Sequence, residues 1–158
     1  MIQRIQTLWL LAATITLLGL FIFPYVSFID LVGLGKQIFV TGVYSSVNNE
    51  MSRESAAIPQ ALMAALTALF PLVIVFFYKN RKKQLIFIGI EIVLIALLGI
   101  WMFVSANSIL GAISQRLQAG NVGVGFFLLP VAVIFLGMAI SGIRKDNKLI
   151  KSADRLRS

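Results

Sequence analysis

The sequence predicts an all-α membrane protein, a bundle of four transmembrane helices with both termini in the cytoplasm. Three observations predict it. The chain has 158 residues, 59% hydrophobic and 13% charged, with a mean hydropathy of +0.93, where soluble domains run roughly 45–50% apolar and roughly 25% charged. Four runs carry at most one charge each, and each reaches the roughly 20 residues that a membrane helix needs. The cations are divided unequally between the segments that flank those runs.

The first span is expected over residues 5–29, charge-free between Arg4 and Asp30. A cleaved signal peptide is the competing reading of this Leu-rich N-terminus. The run exceeds the 7 to 15 residues of a signal core, and Phe23-Pro24-Tyr25-Val26-Ser27-Phe28 offers no small-x-small cleavage site. Residues 30–55 form the first loop, with Gly33, Gly35, Gly42 and mixed charges. Its centre, Gln37 to Tyr44, is β-branched and aromatic, so a short strand or hairpin on the extracytoplasmic surface is one expectation. An amphiphilic loop in the headgroup region is the other.

The second span covers 56–78 and closes on Phe77-Tyr78, followed at once by Lys79, Arg81, Lys82 and Lys83, the aromatic and cationic sequence of a membrane interface. The third covers 85–107, interrupted only by Glu91. A polar stretch follows to Gly125, read as a flexible entry because of Gly120, Gly123 and Gly125. The fourth span covers 126–143, which closes a single membrane domain at 1–143. A basic tail runs over 144–158.

Orientation follows from the cations, which insertion retains in the cytoplasm. Arg4, the four after the second span and the six of the tail make 11 on one side; Lys36, Arg53 and Arg116 make three on the other. The net charge of +8 is then topological. Nucleic acid is not an expected partner, since no basic face with interleaved aromatics lies outside the tail.

Membrane helices associate through small residues and buried hydrogen bonds, because lipid is as apolar as Leu. The expected packing faces are Ala61, Ala65 and Ala68 of the second span and Gly137 and Ser141 of the fourth. Pro24, Pro71 and Pro130 fall within three spans, where each removes a backbone donor.

Cys and His are both absent, which removes thiol chemistry, disulfides, most transition-metal sites and the commonest general base. No P-loop, dinucleotide glycine pattern or paired intramembrane carboxylates occur. No cofactor, no metal and no enzymatic activity are expected.

Glu91 is the only Asp, Glu, Lys or Arg inside a span. Ionisable groups are costly there and draw suspicion of function. Counted inward from the cytoplasmic edge, Thr14 and Thr67 reach similar depth, so Glu91, Thr14 and Thr67 are expected to form a polar layer, with a protonated carboxyl donating to a hydroxyl or a carbonyl. The functional alternative is a proton or cation site.

The tail is the most patterned polar segment. Leu149, Ile150, Ala153 and Leu156 recur at three and four, with Lys148, Lys151, Asp154 and Arg155 between them, an amphipathic helix signature. It continues the fourth helix, lies on the anionic leaflet or docks on a partner. Arg4, Arg144, Lys145, Lys148, Leu149, Lys151, Asp154, Arg155, Leu156 and Arg157 are the candidate docking residues.

The two ends, Met1-Ile2-Gln3-Arg4-Ile5-Gln6-Thr7-Leu8-Trp9-Leu10 and Ile143 through Ser152-Ala153-Asp154-Arg155-Leu156-Arg157, resemble an uncharacterised family of four-span inner-membrane proteins of the Bacteroidota, a domain of unknown function. The resemblance implies a multi-pass protein of the bacterial inner membrane and no activity. The expected function is a small non-enzymatic subunit that joins a larger membrane complex through its helices and cytoplasmic ends. The alternative is a small transporter or channel, a homo-oligomer, in which Glu91 and the Pro-bearing helices line a path.

Overall fold

The computed structural model describes residues 3–47 and 50–157. Four helices alternate in direction: α1 (Gln3–Leu18), α2 (Ile58–Phe76), α3 (Arg81–Ala112) and α4 (Val124–Arg157). Helix α1 packs on α2 and α4, and α3 packs on the same two, so the four close a ring. The cause is a seam repeating at four and three residues. Buried positions are Gln6, Leu10, Ala13 and Leu17 in α1; Gln60, Ala64, Thr67, Pro71 and Ile74 in α2; Gln84, Ile88, Glu91, Ile95, Leu98 and Met102 in α3; Ala132, Leu136, Ala139, Ile143 and Asp146 in α4. That is the heptad spacing of left-handed helix packing. Trp9 stacks on Phe135 across α1 and α4, with ring centroids 5.8 Å apart.

Three helices are long and apolar enough to cross a membrane: Ile58–Phe76, Arg81–Ala112, and α4 over Val124–Ser152. The apolar helical stretch Ile5–Phe21 is shorter. The expected first span of 5–29 is corrected here. Helix α1 gives way at Leu18 to a 3₁₀ turn, Gly19–Phe21; Pro24 has no N–H for a helical ladder; and Val26–Ile29 is strand β1. Val26 and Phe28 are buried. A strand with one face buried carries the same apolar residues as a helix end, so hydropathy alone runs on from α1 into β1.

The first loop is a four-stranded antiparallel meander in the order β1-β2-β3-β4, with β2 at Gly35–Phe39, β3 at Gly42–Val47 and β4 at Glu50–Ala56. The fold is therefore mostly helical with a sheet, not all-α, and the expected hairpin is half of what forms. Register places Val26 beside Ile38 and Ile38 beside Val43, one apolar column of the inner face. Strand β4 is exposed throughout. Its pairing shifts by one residue between Val43 and Tyr44, leaving Glu54 as the extra residue of a bulge. A bulge and the charges Glu50, Arg53 and Glu54 blunt this edge against further pairing.

Two further boundaries move. Helix α3 extends past the expected 85–107 at both ends. Asn80 Oδ1 accepts the Lys83 N–H at its start, and at its end the Gln115 and Ser114 N–H groups close on the Leu110 and Gly111 carbonyls, with Ser114 at φ 58°. The Gly-rich entry to α4 is not a free linker. Val122 bridges Val26, and the Gly123 and Gly125 N–H groups donate to the Tyr25 and Pro24 carbonyls at 2.8 and 2.9 Å. A Cβ on Gly123 would collide with the Pro24 carbonyl oxygen. Glycine is required because backbone meets backbone here.

Candidate functional site

Each helix carries a polar side chain on its seam, and the bundle gathers these at its two ends. At the end away from the sheet, Gln6 Nε2 donates to Asp146 Oδ2 across 2.8 Å, and Arg81 Nη2 stands 3.9 Å from the same oxygen. Arg81 Nη1 donates to Asn147 Oδ1 at 3.3 Å. Asp146 is 6% exposed and Gln6 5%. Low exposure strengthens each of these contacts, and together they tie α4 to α1 and α3 at one level.

Beyond that level α4 continues unbroken to Arg157. The 11 residues from Asn147 add about 16 Å of helix. Leu149 is 57% exposed and Ile150 49%, set between Lys148 and Lys151. Of the three expectations for the tail, continuation of the fourth helix is the one observed. Arg144 and Lys145 are exposed on the same helix. The side chains of Arg4, Asp154, Arg155, Leu156 and Arg157 lie outside the described residues.

At the sheet end, fully buried Tyr25 bonds through its hydroxyl to Gln60 Nε2 at 3.3 Å and to Ser105. Gln115 Nε2 donates to the Ile29 carbonyl at 3.0 Å. On the sheet itself Lys36 Nζ lies 2.7 Å from Asp30 and 2.9 Å from Glu54. The hydrogen bond from Lys36 holds the Asp30 carboxyl below its ordinary value, and Asp30 in return raises Lys36.

Between the two ends sits Glu91, completely buried, with no hydrogen-bond partner for either carboxyl oxygen among the described residues. It lies ten residues, or about 15 Å, along α3 from Arg81. Thr14 and Thr67 are buried too, but the expected hydrogen-bonded layer does not form. Thr14 Oγ1 donates to the Leu10 carbonyl and Thr67 Oγ1 to the Met63 carbonyl, the local i−4 bond that Thr makes inside helices. Gln84, seven residues before Glu91 on the same seam, also leaves its Oε1 unpartnered. No group of three or more acidic, His or Cys side chains that could hold a metal occurs among the described residues.

The small-residue faces divide. Ala64 and Ala68 are buried, with Ala61 and Ala65 half-buried beside them, so this stripe does face the bundle. Gly137 and Ser141 are exposed, and a Cβ on Gly137 would meet nothing within 4 Å. The inner face of α4 is Ala132, Leu136, Ala139 and Ile143 instead. Its seam continues at the same spacing onto Asp146, a signal readable in the sequence that singles this acid out from the basic tail.

A family model described as a domain of unknown function, DUF4293, matches residues 2–156. No curated protein and no solved structure matches the chain.

Proposed function

The chain belongs to the DUF4293 family, and we propose that it is a small, non-enzymatic integral subunit of a larger membrane complex, with four spans and both termini cytoplasmic in a bacterial inner membrane. The observation that carries this reading is the helical basic arm. A topogenic tail needs cations only, whereas this one is a helix, anchored at its root by Asp146 and Asn147 and presenting Leu149 and Ile150 outward. An exposed apolar pair on a helical arm is what docking into a partner's groove uses. The cation split supports the orientation. The stretch Ile5–Phe21, about 26 Å long, completes a fourth span where the bilayer thins slightly or the flanking residues reach outward. Solubilisation in mild detergent tests the proposal: a stoichiometric larger partner co-purifies if the chain is a subunit, and the chain elutes alone if it is not. Reporter fusions at Asn80 and Ser158 read as cytoplasmic and one at Asn48 as exported; an exported signal at Ser158 overturns the topology.

One observation favours a second reading, a small oligomeric transporter or channel. An unpartnered buried polar group costs about 1–3 kcal/mol, so a fold with no use for Glu91 gains by losing it. Glu91→Leu is expected to stabilise the bundle. If proteoliposomes carry a proton or cation flux that Glu91→Leu and Glu91→Gln both abolish, the carboxyl serves transport; full retention of function in both variants removes this reading.

A further inference from the structure

We infer that the outer seam between α3 and α4, with the connection that joins them, binds a phospholipid through an anionic headgroup and one acyl chain. Between the two helices an apolar hollow of about 530 Å³, lined by Ala96, Gly99, Phe103, Phe126 and Pro130 among others, overlaps a second of about 540 Å³ that reaches Ile92 and Ile134. From Ile92 to Phe103 the groove runs about 16 Å along α3. Gly99 forms its floor, and a Cβ there would stand 3.1 Å from Leu129 Cδ1. Both helices have membrane-spanning length and hydropathy, so what fills an outward apolar groove between them is hydrocarbon.

The connection 113–123 joins the ends of these helices and walls a third hollow of about 560 Å³, which is polar and lined by Ser114, Gln115, Arg116, Gln118, Asn121 and Ile29. Charge identifies the headgroup. Three cations lie at the sheet end. Lys36 is clamped between Asp30 and Glu54, and Arg53 donates to the Thr41 carbonyl. Arg116 is exposed and makes no ion pair among the described residues. A guanidinium in a crevice of amide and hydroxyl side chains recognises phosphate bidentately, and phosphate is the anion that a phospholipid presents at this level. An apolar groove alone accepts any lipid; Arg116, four residues past the end of α3 and so about 13 Å of helix and a short turn beyond Phe103, is the cation that selects an anionic headgroup on a chain reaching down into it.

The test uses the full chain in mild detergent and native mass spectrometry with added phosphatidylglycerol or phosphatidylcholine of identical chains. The wild type is expected to retain one phosphatidylglycerol in preference to phosphatidylcholine by about fivefold, the worth of one cation near an anionic headgroup. Arg116→Gln should abolish the preference and Arg116→Lys should keep most of it. Ala96→Phe, at an exposed position that points into the groove rather than the core, should weaken both lipids alike. Equal retention of the two lipids by the wild type, or a preference that survives Arg116→Gln, overturns the proposal. A polypeptide cross-linked from position 96 in native membranes, with no lipid retained there, overturns it in favour of a partner helix.

Discussion

Gln6 and Asp146, 140 positions apart in sequence, share a buried hydrogen bond of 2.8 Å that joins the beginning of α1 to the root of the basic arm. A bond to a carboxylate contributes about 1.5–3 kcal/mol, and leaving that carboxylate unpaired costs more. A double-mutant cycle of Gln6→Ala and Asp146→Ala, read by equilibrium unfolding in mixed micelles, should therefore give a coupling of about 1.5–3 kcal/mol. Additivity of the two losses would mean that the arm is not held at its root by this pair.

The meeting of Gly123 with Pro24 fixes the sheet to the bundle. Gly123→Ala places a methyl against the Pro24 carbonyl and should cost about 2–3 kcal/mol by forcing the two backbones apart. Loss of hydrogen-exchange protection at Gly123 and Gly125 would accompany it. An alanine variant as stable as the wild type would contradict the close approach.

Ser114 ends α3 in the left-handed region, φ 58°, where a side chain costs about 1–2 kcal/mol and glycine nothing. Ser114→Gly is expected to raise stability by about 1 kcal/mol in the same unfolding assay. A loss of stability would show that the Ser side chain contributes more than its backbone costs.

The Asp30–Lys36 contact sets a pH window for the sheet. Because the folded Asp30 lies below its ordinary 3.8, its contribution is complete above that value and disappears as pH falls through the lowered one; Lys36, raised above 10.5, contributes fully below that value and loses its share as pH rises through the raised one. Both groups are near solvent, so the effect on stability is small and weakened by salt. An NMR titration of the Asp30 carboxyl should show a midpoint under 3.8 that returns toward it in Lys36→Met. A midpoint unmoved by that substitution would contradict the pairing.

The helices are legible by hydropathy and length, and the Ala stripe of α2 by its small residues, but the face of α4 is not where small residues suggest: Gly137 and Ser141 are exposed, and the buried seam follows the heptad at 132, 136, 139, 143 and 146, as it does at 84, 88, 91, 95 and 98 in α3. The strands are harder to see. Val26 and Phe28 lie in an unbroken apolar run after α1, where hydropathy alone does not separate a covered strand from a helix end, and only Pro24 marks the change. The glycines before α4 suggest freedom when the partner that constrains them, the Pro24 backbone, lies a hundred positions away. Local chemistry likewise outcompeted the expected polar layer, since Thr14 and Thr67 each have a carbonyl one turn back in their own helix. Glu91 is found by composition, whereas its lack of a partner is a property of the packed bundle.

The basic arm of α4 is the centre of the account, and Leu149→Ser with Ile150→Ser tests it most directly. The pair leaves all six tail cations in place and touches neither Asp146 nor Asn147, so insertion and melting temperature should match the wild type. Each buried Leu or Ile contributes roughly 1.5–3 kcal/mol to a contact. Quantitative co-purification from native membranes should therefore show the larger partner lost or reduced by at least about tenfold. Undiminished recovery of that partner, at low and at high salt alike, would contradict a docking role and leave the arm as a signal for orientation.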